Sequence, residues 1–305
     1  METENLLDIF KDFLASEKNA SHNTIAAYER DIRSFIEFMN NQNKGILNAT
    51  SKDVRKWLAG FSSQGLKRTS VSRKLSSLKS FFKFLLRSGI TQRNPAEPVT
   101  FPIRGKPLPK SLTTKEIFKV LDEETRKDFI GVRDRAIMEL LYSTGIRVGE
   151  LVGLNIEDIN FDLEILKVKG KGNKERIAPF GSKAKKALME YLRERQILAD
   201  NLQNIDKEAL FLNNKGGRLT ARSVQRMVSR RGLKLSLNAE LTPHKFRHSM
   251  ATHLLENGAD LRSIQKILGH ANIGTTQIYT NLDTKKLREI FQQAHPRSRK
   301  KQKKD

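Results

Sequence analysis

LTPHKFRHSMATHLLENGADLRSIQKILGHANIGTTQIYTN, residues 241–281, is the stretch from which the rest of the chain is read. Pro243 suits a helix start, and on the helix that follows His244 and Arg247 are three residues apart, so they project from one side. Phe246, Met250 and His253 take the other side, where a histidine belongs to the core. A second short helix, capped by Asp260, buries Ile264, Ile267 and Leu268 and ends at Gly269, which places His270 just beyond it and Tyr279 nine residues further on. Arginine grips phosphate through a planar fork, imidazole moves protons near neutral pH, and a phenol attacks phosphorus once its proton is lost. Any one of these residues alone is more often an ordinary helix residue; together they suit transfer at one anionic group. His244 and His248 also have the spacing of a helical zinc pair, but Lys245 stands where glutamate would be needed and no third ligand is evident, so no metal is expected.

Upstream, RLTARSVQRMVSRRG (218–232) reads as a helix capped by Thr220 with Arg222, Arg226, Arg230 and Arg231 available to a polyanion. Ser182 caps a preceding helix bearing Ala184, Ala187, Leu188, Tyr191 and Leu192. From Ile156 to Phe180 the period changes to two: Ile159, Phe161, Leu163 and Ile165 alternate, Leu166 and Val168 shift the phase, and Gly170 to Asn173 form a hairpin turn. Lys171 sits on that turn, with Lys169 and Lys174 as rivals and a solvated turn lysine as the plainer reading. VRDRAIMELLYSTG (132–145) is a helix stopped by Gly145; Arg147 follows, three residues before Glu150, whose carboxylate can hold the guanidinium unless the two form only a surface ion pair. Thr113 and Glu116 have capping-box spacing before Ile117, Val120 and Leu121.

TFPIRGKPLPKS (100–111) is broken by three prolines and a glycine and serves as a linker. Before it the chain reads as four amphipathic helices with no strand, the fourth placing Arg68, Ser70, Arg73, Lys74 and Ser77 away from its apolar stripe. Cations mixed with small hydroxyls suit close approach to a sugar-phosphate backbone, although a solvated basic face fits equally well. After residue 281 one more amphipathic helix, Lys285 to Ala294, carries Leu287, Ile290 and Phe291 on one face. Without a partner in its own domain that face would plug a neighbouring subunit. HPRSRKKQKKD (295–305) reads as a disordered basic tail. The domains are therefore 1–100, 112–294 and a tail from 295, joined across 101–111.

The 305 residues allow two domains, and 57 Lys and Arg against 34 Asp and Glu leave a net charge of +23, which attracts polyanions. No run approaches the ~20 apolar residues of a membrane span, and METENLLDIFKDF is acidic and amphipathic rather than a signal sequence, so a cytoplasmic location is expected. The absence of cysteine excludes disulfides, thiolate ligands and cysteine nucleophiles.

HKFRH, LGHANIGTTQIYT, STGIRVGEL and KGKGNKERIAPF resemble, in order and spacing, the motif boxes of the tyrosine site-specific recombinases of the phage integrase family, in the bacterial XerC/XerD branch. The end, QQAHPRSRK, looks more like the XerC subgroup. The resemblance implies a mainly α fold with a small β-sheet: an N-terminal four-helix, SAM-like core-binding domain and a C-terminal mixed α/β catalytic domain, forming a C-shaped clamp on DNA. It further implies that Tyr279 attacks a DNA phosphodiester to give a 3′-phosphotyrosyl link, with Arg147, Lys171, His244, Arg247 and His270 as the other catalytic residues, Glu150 in support, and no ATP, cofactor or metal. Tyr28, Tyr142 and Tyr191 compete as nucleophiles but fall on apolar stripes. Double-stranded DNA is the implied partner, in a tetramer with itself or with a second, XerD-like recombinase, under a septal DNA translocase during chromosome dimer resolution. A mobile-element integrase of the same chemistry, or a DNA-binding architectural protein without cleavage, remain the alternatives.

Overall fold

The computed structural model describes residues 2–18, 20–100, 111–170, 175–237, 240–269 and 281–298, leaving out the side chains of residue 2 and of 281–283. The chain divides into two compact units, Met1–Pro109 and Lys110–Asp305. Lys171, His270 and Tyr279 lie outside the described residues, as do 101–110 of the linker.

The first unit holds α1 (Glu2–Ser16), α2 (His22–Asn40), α3 (Ser51–Ser63) and α4 (Arg68–Arg87). Of these helices, side-chain caps start α2 and α3. The Ser21 hydroxyl accepts from the Thr24 amide at 3.2 Å, and Thr50 and Asp53 cap α3 reciprocally. Their apolar stripes meet in one core in which Phe35 lies edge-on to Trp57, centroids 5.2 Å apart.

On α4 the polar face differs from expectation. Asp31 of α2 is buried and draws in the residues opposite it: Arg73 pairs with it, the Lys74 ammonium lies 3.2 Å away and the Ser77 hydroxyl 3.4 Å. Ser77 is fully buried, and Lys74 sits 4.3 Å from the centre of the Phe61 ring and 5.3 Å from that of Trp57. A carboxylate taken out of water needs counter-charge, so Arg73, Lys74 and Ser77 serve the helix bundle, while the Arg73 side chain also remains exposed. Arg68 stays exposed and Ser70 half-buried.

The second unit runs α5 (Thr114–Asp122), α6 (Phe129–Thr144), α7 (Val148–Gly153), β1 (Ile159–Asn160), β2 (Ile165–Lys169), β3 (Glu175–Pro179), α8 (Ser182–Asp200), α9 (Ala221–Lys234), α10 (Pro243–Glu256), α11 (Leu261–Leu268) and α12 (Asn281–Ala294). α6 is the axis of its core, buried from Ala136 to Thr144 and packed against α8 and α10. The strands form an antiparallel sheet in the order β1-β2-β3, with Leu166 opposite Ala178 and Val168 opposite Arg176. Leu166 and Val168 face inward while Lys167 and Lys169 face out.

Three expectations are corrected here. The alternation from Ile159 to Ile165 is not one strand: the Asn160 side chain accepts from the Leu163 amide at 2.8 Å, Glu164 takes φ 52°, and Leu163 is left exposed, because an asparagine offers the backbone a turn that apolar spacing conceals. α8 is capped by Gly181, with Ser182 its first helical residue. A Cβ at residue 181 would lie 2.9 Å from the Arg297 carbonyl oxygen, so glycine is needed for that approach.

The third concerns the end of the chain. α12 begins at Asn281, and its apolar face is covered within its own unit, packing on α10, α11 and β3 with Leu287, Phe291 and Ala294 buried. Residues 295–298 are built into the core. His295 stacks on Phe291, centroids 4.6 Å apart, and burial pushes its imidazole down to about 3, so it is neutral. Arg297 crosses to Glu139 of α6, Nε to Oε2 3.2 Å, and to Asp122 at 2.9 Å, its guanidinium 5.1 Å from the Phe118 ring centre. Basic composition suggested a loose tail, but a buried acid on α6 holds its first four residues. Among the described residues no helix is long and apolar enough to cross a membrane.

Candidate active site

Gly145 ends α6 in the left-handed region, φ 59°, which favours glycine, and a Cβ there would meet Leu268 Cδ2 at 2.8 Å, where α6 ends against α11. The chain then turns and Arg147 becomes the N-cap of α7. Glu150, one turn in, reaches back to accept from the Arg147 amide and from its Nη1, each at 2.9 Å. The remaining Arg147 nitrogens, Nε and Nη2, have no partner among the described residues, and the side chain is half exposed.

Sequence reasoning overlooked Arg176. From β3 it forks the same carboxylate, Nη1 to Oε1 3.0 Å and Nη2 to Oε2 2.8 Å, while Nε donates to the Ile267 carbonyl at 3.2 Å. The available signal was its phase: Arg176, Ala178 and Phe180 are alternate residues on the inward face of a strand, where a charge requires a buried partner. Burial pushes the Glu150 carboxyl up, but the bonds from Arg176 and Arg147 outweigh it and hold the group below the usual carboxylate range.

Arg247 comes to the same place from α10. It is 7% exposed, with Nη1 donating to the Gly145 carbonyl at 2.6 Å and Nη2 to that of Leu268 at 2.7 Å. Burial, then the charges of Arg147 and Arg176, lower its guanidinium to about 10, so it remains charged at neutral pH. Three guanidiniums face one carboxylate here, and the excess positive charge is a seat for an anion. His244, in the first turn of α10, is exposed, and the helix is capped by Thr242, which accepts from the Lys245 amide at 3.2 Å. The structure thus brings Arg147, Glu150 and Arg247 together. Among the described residues no three His, Asp or Glu side chains gather as metal ligands.

Residues 110–286 match the model of the phage integrase family, and residues 7–89 that of its N-terminal SAM-like domain. The chain belongs to the phage integrase family. Among curated relatives, tyrosine recombinase XerC of Oceanobacillus iheyensis is 42% identical over 293 residues, 96% of either chain. The protein of the same name from Haemophilus influenzae strain Rd is 40% identical over 296 residues, 97% of this chain and 98% of its own. Among solved structures, XerH site-specific recombinase bound to difH substrate in a pre-cleavage complex aligns with a TM-score of 0.66 at 26% identity, covering 93% of this chain and 83% of that one.

In this integrase-family chain the rival tyrosines are spoken for. Tyr142 is fully buried, its hydroxyl 2.9 Å from His253 Nδ1, and burial raises its pKa strongly. His253 must donate from Nε2 to the Leu112 carbonyl 2.9 Å away, so Nδ1 accepts from the phenol; this is a core histidine. Tyr191 donates to Leu210 and accepts from Leu212, each at 3.0 Å, and burial pushes it up to about 12. Tyr28 packs half-buried against the first unit's core.

α9 keeps Arg222, Arg226 and Arg230 exposed at successive four-residue steps, one face of the helix. Arg231 turns inward instead, Nη2 to the Glu123 carbonyl at 2.7 Å and Nε to that of Val120 at 3.2 Å, where it closes the end of α5. A cavity of about 590 Å³ lies beside α9, lined in part by Arg126, Arg226, Arg230 and Lys234.

Proposed function

We propose that this chain is a site-specific tyrosine recombinase that cuts and rejoins double-stranded DNA through a 3′-phosphotyrosyl intermediate, in the manner of its XerC relatives, resolving chromosome dimers at cell division. The observation that carries the reading is the anion seat: Arg147, with two nitrogens unspent among the described residues, beside Arg247 held on two backbone carbonyls. It is supported by 42% identity over nearly the whole chain to a tyrosine recombinase.

The chemistry is transesterification. The Tyr279 oxygen attacks the backbone phosphorus, forming the O–P bond to the 3′ phosphate as the bond to the 5′ oxygen breaks. Arg147 and Arg247 stabilise charge on the non-bridging oxygens. His244 assists removal of the phenolic proton, Lys171 protonates the departing 5′ oxygen, and His270 hydrogen-bonds the pentavalent transition state. The phosphotyrosyl ester keeps the bond energy, and attack by the 5′ hydroxyl of a partner strand rejoins DNA without ATP. Residues 112–294 supply this site, residues 1–100 bind the core of the DNA site, and 101–111 join them. The working assembly is a tetramer with itself or with a second, XerD-like recombinase, controlled by a septal DNA translocase.

Trapping tests the reading. A nicked duplex carrying the sequence selected by the protein from a random library should give a covalent adduct that persists in SDS, and Tyr279→Phe should give none. An adduct formed by Tyr279→Phe rejects the nucleophile; no adduct from wild type favours binding without cleavage.

A further inference from the structure

We infer that Arg176 is a positioning residue for strand cleavage, holding the Glu150 carboxylate so that Arg147 is offered to the scissile phosphate; this rests on the recombinase reading above. Every nitrogen of its guanidinium is engaged: Nη1 and Nη2 on the two oxygens of Glu150, Nε on the Ile267 carbonyl. The group is 5% exposed and touches no solvent-facing site of its own. It links three distant segments: the turn that carries Arg147, the hairpin strand that follows Lys171, and the end of α11 that precedes His270.

Two consequences follow from that geometry. Glu150 shares its charge between two guanidiniums, so neither pairs with it alone. Were Arg176 absent, the whole negative charge would fall to Arg147, drawing it into a closed pair and masking it from an anion. The second consequence concerns α11. Its last carbonyls are held by two arginines, Ile267 by Arg176 and Leu268 by Arg247. Gly269 takes φ 67° directly over the Arg176 side chain, where a Cβ would lie 2.6 Å from Cδ. The arginine and the glycine together fix the point from which the following segment departs.

The test compares wild type, Arg176→Met, Arg176→Lys and Arg176→Met/Glu150→Gln on the nicked duplex above, measuring single-turnover adduct formation and, separately, duplex affinity. Arg176→Met should slow cleavage by about 100-fold, the scale of one lost transition-state donor, with affinity within about threefold of wild type. Arg176→Lys keeps a charge but not the fork, and should fall between. Removing the Glu150 charge as well should recover part of the lost rate, which loss of packing would not do. The inference is overturned if Arg176→Met cleaves at the wild-type rate, or if affinity falls as far as rate and Glu150→Gln restores nothing. Should Arg176→Met fail to give a cooperative thermal transition, wild-type cleavage by Arg176→Lys overturns it equally. A wild-type protein that forms no Tyr279-dependent adduct overturns the proposed function, and this inference falls with it.

Discussion

Arg297 and Glu139 show what a single charge can decide. Glu139 is 2% exposed, and burial raises its carboxyl above the ordinary range even with Arg297 pulling the other way. Arg297→Met should therefore destabilise the protein by about 3 kcal/mol at neutral pH, the usual result of leaving one member of a buried pair alone. The pH dependence has a definite sign. A carboxyl whose folded pKa exceeds its unfolded value binds more protons in the folded state, so stability falls as pH rises between the two values. In Arg297→Met, with burial opposed only by the weaker pull of Arg135, the loss should be largest near neutrality and shrink as pH drops toward the unfolded glutamate value of about 4.3. Urea unfolding from pH 7 to pH 5 checks it; a loss that does not change with pH would mean that Glu139 is not the group left exposed to the apolar interior. At this scale the sequence was legible where chemistry is local. Thr113 with Glu116, Thr220, Asp260, Gly145 and Gly269 all cap the helices they were expected to cap, since a cap and its amide lie three or four residues apart. It was illegible where a charge finds its partner far along the chain, as Arg176 does with Glu150 and Arg73 with Asp31.

Among elements, α9 is the one whose exposed face is cleanest. Arg222, Arg226 and Arg230 are exposed at four-residue steps, and none of them takes part in an ion pair among the described residues. Replacing all three with glutamine should weaken duplex binding at every sequence and lower the slope of log affinity against log salt by about 3, near one unit for each lost phosphate contact. Fluorescence anisotropy across a salt series measures this; an unchanged slope would remove α9 from the DNA interface. α4, whose composition is similar, gives up much of its basic face to Asp31. Helical periodicity finds the polar positions of both helices, but it cannot say whether the facing helix carries an acid that draws some of them inward, as Asp31 draws Lys74 and Ser77. For α12 the apolar stripe was legible and its destination was not, because amphipathicity records that a face is covered and never by what.

For the whole molecule, each unit has its own buried apolar cluster. The two were separable in the sequence because proline and glycine punctuate 100–111 and helical periodicity resumes on either side. The proposed catalytic residues were chosen as residue types at family spacing, and of these the structure brings Arg147 and Arg247 together; the carboxylate that organises two arginines, and the close approach of α6 to α11 at Gly145, took coordinates to see. The pairing of Arg297 with a residue 158 positions earlier has a bearing on synthesis. A ribosome makes Glu139 and adds its counter-ion 158 residues later, so during translation this acid waits without its neutralising partner. The unit is therefore not complete until residue 297 has been made, and a product cut short before it would leave a charge in an apolar interior and mark itself for degradation.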